Sequence, residues 1–221
     1  NLIVGTQGRS IYILDNLSFI ENFQPAPAVS QVFPIANTYR VPPQMGGRRG
    51  RGVSVSMPAN VGVNPAKGVV INYWKANTSD SSKVEIVIMD DQKKVIKTIN
   101  HSETGGPSTE AGFQNFVWNM YHKEAEKPET GLILWNGSTS PVLAAPGKYT
   151  AKVTIDNTVS EMPFTIVADP NYKVSDADLK AQEQFLLKVA GTFSEIMKNL
   201  KGIKELRAQI NMLQKKTKDS A

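Results

Sequence analysis

The stretch Tyr149-Thr150-Ala151-Lys152-Val153-Thr154-Ile155-Asp156-Asn157-Thr158-Val159-Ser160-Glu161-Met162-Pro163-Phe164-Thr165-Ile166 decides how the chain is read. Tyr149, Ala151, Val153 and Ile155 alternate with polar residues, Asp156-Asn157 supplies turn chemistry, and Met162, Phe164 and Ile166 return on one face. A period of two on both sides of a two-residue turn is the pattern of a half-buried antiparallel hairpin.

The pattern repeats toward the N-terminus. Val69, Ile71 and Tyr73 share one strand face, and Val84, Ile86 and Ile88 share the next. Asp90-Asp91-Gln92-Lys93 turns the chain into a partner run from Val95 to Ile99, Phe116 and Trp118 alternate in a fourth run, and Leu132 and Leu134 suggest a fifth. Short strands at this density, with no helix-length segment between them, predict an antiparallel two-sheet sandwich of immunoglobulin or fibronectin type over residues 68–168. They argue against a parallel α/β sheet.

The flanks read differently. Residues 169–221 switch to helical spacing, with Leu179, Leu186, Val189, Phe193, Ile196, Leu200 and Ile203 in one stripe and Leu206, Ile210 and Leu213 after a shift in phase. Ser175 and Asp178 form a capping-box-like start. A long amphipathic helix, or a helical hairpin bent near Gly191 or Gly202, follows, and its stripe needs a partner. Residues 23–67 carry seven prolines and a glycine-arginine cluster, which predicts a crossing linker with only short ordered pieces. Residues 1–22 open with Leu2-Ile3-Val4-Gly5-Thr6-Gln7-Gly8-Arg9-Ser10-Ile11-Tyr12-Ile13-Leu14-Asp15, two apolar strands around a glycine turn. Two strands are marginal alone, so they are expected to complete a sheet supplied elsewhere. The start at Asn1, directly before an apolar strand, reads as that of a processed chain or an excised fragment.

With 221 residues, 40% of them hydrophobic and 20% charged, the chain can bury a core. Without cysteine it has no disulfide, thiolate ligand or thiol nucleophile, and no apolar run is long enough to span a membrane. The net charge of +5 is unevenly placed: residues 40–52 hold four arginines and no acid, residues 175–221 hold nine bases against six acids, and the remainder stands at −2. The basicity therefore belongs to a loop and a tail, which argues against nucleic acid as the partner.

Catalytic signatures are lacking. His101 and His122 have no companions at metal-ligand spacing and read as exposed loop histidines, and no phosphate-binding glycine loop or nucleophile elbow is present. Asp90-Asp91, Glu124, Glu126 and Glu129 fall in turns or loops, where carboxylates are ordinarily solvated. No cofactor or metal is expected. Gly46-Gly47-Arg48-Arg49-Gly50-Arg51-Gly52 has the composition of an RNA-binding segment, but as a single copy without aromatic repeats it reads better as an interdomain loop. Trp118 is expected in the core, whereas Trp135, before Asn136-Gly137, is the candidate exposed aromatic. Trp135, Arg48, Arg49 and Arg51 are thus the candidate glycan or partner contacts.

The Gly5-Thr6-Gln7-Gly8-Arg9-Ser10 element leading to Leu14-Asp15 resembles the closing blade of bacterial sortilin-like, Asp-box (BNR) repeat β-propeller proteins, often labelled glycosyl hydrolases. Asn64-Pro65-Ala66-Lys67-Gly68-Val69-Val70-Ile71-Asn72-Tyr73, Asn115-Phe116-Val117-Trp118-Asn119-Met120, Ala145-Pro146-Gly147-Lys148-Tyr149-Thr150 and Asp176-Ala177-Asp178-Leu179-Lys180-Ala181-Gln182 follow in the family's order. Gln7 stands where that family tends to have histidine, and the Asp-box signature itself is absent. The resemblance implies a non-catalytic C-terminal region of a larger secreted, periplasmic or cell-surface protein. The hairpin would close a propeller lying upstream in the same protein, the sandwich would brace it, and the helical tail would meet a protein partner or another copy. The alternatives are a carbohydrate-binding module, or part of a sialidase-like glycoside hydrolase whose catalytic residues lie in upstream blades.

Overall fold

The computed structural model describes residues 2–8, 11–14, 17–22, 29–41, 67–77, 82–126 and 140–218. They form a mainly β protein with three sheets and one long C-terminal helix. The chain divides into two units, Asn1–Met120 with Ala145–Lys173, and Tyr121–Ala144 with Val174–Ala221.

The first unit begins with β1 (Leu2–Gly5) and β2 (Ile11–Leu14), an antiparallel pair in which Ile3 faces Ile13. Gly8 turns the chain at φ +77°, a backbone that other residues rarely adopt. One helical turn, α1 (Ser18–Glu21), places the Phe19 ring 4.8 Å from that of Phe113.

β3 (Gln31–Val32) and β4 (Thr38–Arg40) follow, then β5 (Val69–Lys75), β6 (Val84–Asp90), β7 (Val95–Asn100), β8 (Gly112–Trp118), β9 (Gly147–Ile155) and β10 (Thr158–Ala168). One sheet has the order β3-β5-β8 and the other β4-β10-β9-β6-β7. All pairings are antiparallel except β4 with β10, which is parallel. The segment read as a linker thus carries two of the expected short ordered pieces, and they are built into both sheets. Val32, Phe33 and Ile35 are buried there, and the Phe33 amide donates to the Asn72 carbonyl.

Strand alternation makes the core. Val69, Ile71 and Tyr73 on β5, Val84, Ile86 and Ile88 on β6, and Tyr149, Ala151, Val153 and Ile155 on β9 are all buried, as their spacing requires. A register shift between Ile88 and Met89 buries both neighbours, which strict alternation would not do. Trp118 on β8 meets Tyr149 of β9 and Phe164 of β10 edge-on, each at 6.2 Å between ring centres, so aromatic contacts link the two larger sheets. Gly68 precedes β5 at φ +153°, and a Cβ there would collide with the Trp118 carbonyl and the Val117 side chain. Pro163 lies where β10 has β9 on one side and, among the described residues, no strand on the other, which suits a residue without an N–H.

The second unit is organised by α2 (Asp176–Lys218), an unbroken helix of 43 residues and about 65 Å. Of the two helical arrangements left open by the spacing, the structure has the single helix, continuous through Gly191 and Gly202. Ser175 caps it: its hydroxyl accepts from the Asp178 amide and donates to the Asp178 carboxylate. In the same unit Tyr121 bridges Leu143 and the His122 amide donates to the Val142 carbonyl.

Candidate interaction surfaces

Two surfaces stand out because apolar side chains lie on them exposed. The first is the β1-β2 pair. Leu2, Ile3, Val4, Ile11, Tyr12 and Ile13 are 44–71% accessible, although a period of two would normally bury one face. Both faces of this hairpin are open, so neither has the packing that stabilises a sheet of two strands.

The second is α2. Leu179, Glu183, Leu187, Ala190, Phe193, Ser194, Met197 and Leu200 are half-buried and recur at helical spacing along one side of the helix. Two contacts fix that face. His122 Nε2 lies 2.7 Å from Glu183 Oε1, with both side chains only 12% exposed, and the Glu126 amide donates to Ser194 Oγ. His122, expected as an exposed loop histidine, is therefore a half-buried partner of a helix carboxylate. A different stripe stays open: Leu186, Val189, Ile196, Ile203, Leu206 and Ile210 are 40–61% exposed.

The polar constellations are structural. Lys75 continues the inward phase of Val69, Ile71 and Tyr73, so its side chain is fully buried, and its ammonium meets Asp156 Oδ2 at 2.5 Å. Asp156 turns the β9-β10 hairpin in a left-handed conformation, φ +52°, and its other oxygen accepts the Lys83 amide. The bond from Lys75, and then that from Lys83, hold the Asp156 carboxyl below the ordinary carboxylate value. Burial pushes the Tyr73 phenol up to about 12, and its hydroxyl donates to the Ser108 carbonyl at 2.6 Å. Each of these groups has its partner within the fold.

Among the described residues no group of three or more histidines and carboxylates could hold a metal, and no helix is long and apolar enough to cross a membrane. Trp135, Arg48, Arg49 and Arg51, together with Leu132 and Leu134, lie outside the described residues. Trp118 is in the core, as its alternation with Phe116 predicts. The His122–Glu183 and Lys75–Asp156 pairs were not anticipated, because their members lie 61 and 81 residues apart. One signal did exist: an inward-phase lysine in an apolar strand requires a buried counter-charge.

The described residues thus form a mainly β protein with two exposed apolar surfaces, one on the β1-β2 pair and one on α2. The chain matches no protein-family model, no curated protein and no solved structure.

Proposed function

We propose that the chain is a non-catalytic structural and interaction region, in which an immunoglobulin-like sandwich carries an apolar hairpin on one side of the sequence and an apolar helix on the other. Strand order supports the sandwich. β3, β5 and β8 correspond to strands A, B and E of that fold, and β6, β7, β9 and β10 to C, C′, F and G. The chain switches from one sheet to the other between β3 and β4. Tyr149, near the start of β9, donates its hydroxyl to the Ala145 carbonyl four residues upstream, the geometry of a tyrosine corner.

The observation that carries the functional reading is the hairpin, apolar on both faces and exposed on both. Exposed apolar area of this kind marks a surface completed by another element. Together with the resemblance of its sequence to a propeller-closing blade, it supports a role in closing and bracing a propeller of a larger secreted or envelope-bound protein. The test is to add the chain in trans to a propeller portion of the native protein. Saturable binding, abolished by Ile3→Asp with Ile13→Asp, is expected. Hydrolysis of glycosides by the chain alone, or binding that both substitutions leave intact, would overturn the reading.

A further inference from the structure

Within that interaction-region reading, we propose that the open stripe of α2 is the seam of an antiparallel two-helix coiled coil with a second copy of this chain. Leu186, Val189, Ile196 and Ile203 fall on a three-four repeat completed by Phe193 and Leu200, and the repeat continues from Ile203 through Leu206 to Ile210 after one three-residue step. Side chains at this spacing drift about 20° per heptad around a straight helix, so only a partner wound around it in a left-handed sense stays in contact with all of them. A flat surface such as a globular domain or a lipid bilayer would meet one part of the seam and lose the rest. Six of the eight seam positions are exposed, and Phe193 and Leu200 are half-buried where the seam borders the face of Leu179, Glu183, Leu187, Ala190, Ser194 and Met197.

Charge selects the occupant and its direction. Residues 176–199 of the helix carry four acids and three bases, whereas residues 200–218 carry six bases and one acid. A parallel pair would set the strongly basic ends together, while an antiparallel pair sets each against the partner's slightly acidic end. The seam runs from Leu186 to Ile210 and is centred near Lys198, so an antiparallel copy superimposes the seam on itself and brings Gln182 opposite Gln214 of the second copy.

The whole 221-residue chain is the material for the test. Sedimentation equilibrium from about 1 to about 100 µM is expected to give a reversible dimer. Because the chain has no cysteine, Gln182→Cys and Gln214→Cys give clean single thiols. Mixed and oxidised, the two variants are expected to form the 182-to-214 disulfide in preference to either like-with-like disulfide. Ile203→Asp with Ile210→Asp, both at exposed positions, is expected to raise the dimer Kd at least about a hundredfold with helix content retained. Lys215→Glu with Lys216→Glu is expected to weaken the dimer; in a parallel pair the same change would strengthen it. A monomer at every concentration, or preferential like-with-like disulfides, would overturn the proposal. So would a monomer that binds anionic phospholipid vesicles through the same isoleucines. None of these results touches the hairpin, whose role is tested with Ile3 and Ile13.

Discussion

The Tyr149 hydroxyl donates to the Ala145 carbonyl at 2.6 Å, tying the start of β9 to the chain that leads into it. Both residues are buried, and the Tyr149 ring also stacks on Phe164 with centres 5.8 Å apart. Tyr149→Phe keeps the ring and removes the donor. It is expected to cost about 1–2 kcal/mol in urea denaturation with the β signature unchanged. A variant as stable as the parent would deny the corner its role.

Asp156 gives an acid-side prediction. Its folded-state pKa is lowered, first by the bond from Lys75 and then by that from Lys83. The stability it supplies is therefore complete above the ordinary value of 3.8 and is lost as pH falls through the lower folded value. Asp156→Asn tolerates the left-handed turn yet leaves Lys75 without its counter-charge, and is expected to cost about 1–3 kcal/mol at neutral pH, tempered by the 41% exposure of Asp156. Melting temperature against pH should fall less steeply below pH 4 in the variant than in the parent. Equal slopes would remove the pair from the acid response.

Tyr73 gives the alkaline counterpart. Burial raises its phenol from 10.0 to about 12. Its contribution is complete below pH 10 and is lost as pH rises through about 12, because the unfolded chain releases the proton first. Phenolate absorbance should show one tyrosine ionising late, together with unfolding. Tyr73→Phe should flatten the alkaline limb of the stability curve, and an unchanged limb would contradict the burial argument.

The sheets were legible where strands were long enough to show a period. β9 with β10 and β6 with β7 emerge from alternation, with Asp156-Asn157 and Asp90 to Lys93 marking their turns. β3 and β4 span two and three residues; such pieces show no period, and only their tertiary pairing makes Val32, Phe33 and Ile35 core residues. Leu132 and Leu134 lie outside the described residues, so that run stands as a sequence expectation, as do Trp135 and the three arginines. The helix stripe was visible, but its division into half-buried and exposed positions was not. That division depends on His122 and Glu126 reaching Glu183 and Ser194 across more than sixty residues of sequence.

The hairpin decides the central claim, that this chain completes and braces something outside its own described fold. Amide hydrogen exchange should be measured at residues 2–5 and 11–14 in the isolated chain and in the native protein. The account predicts exchange near the unfolded rate in the isolated chain, and protection at least about a hundredfold greater in the native protein, where the apolar faces are covered. Equal exchange in the two contexts would contradict it.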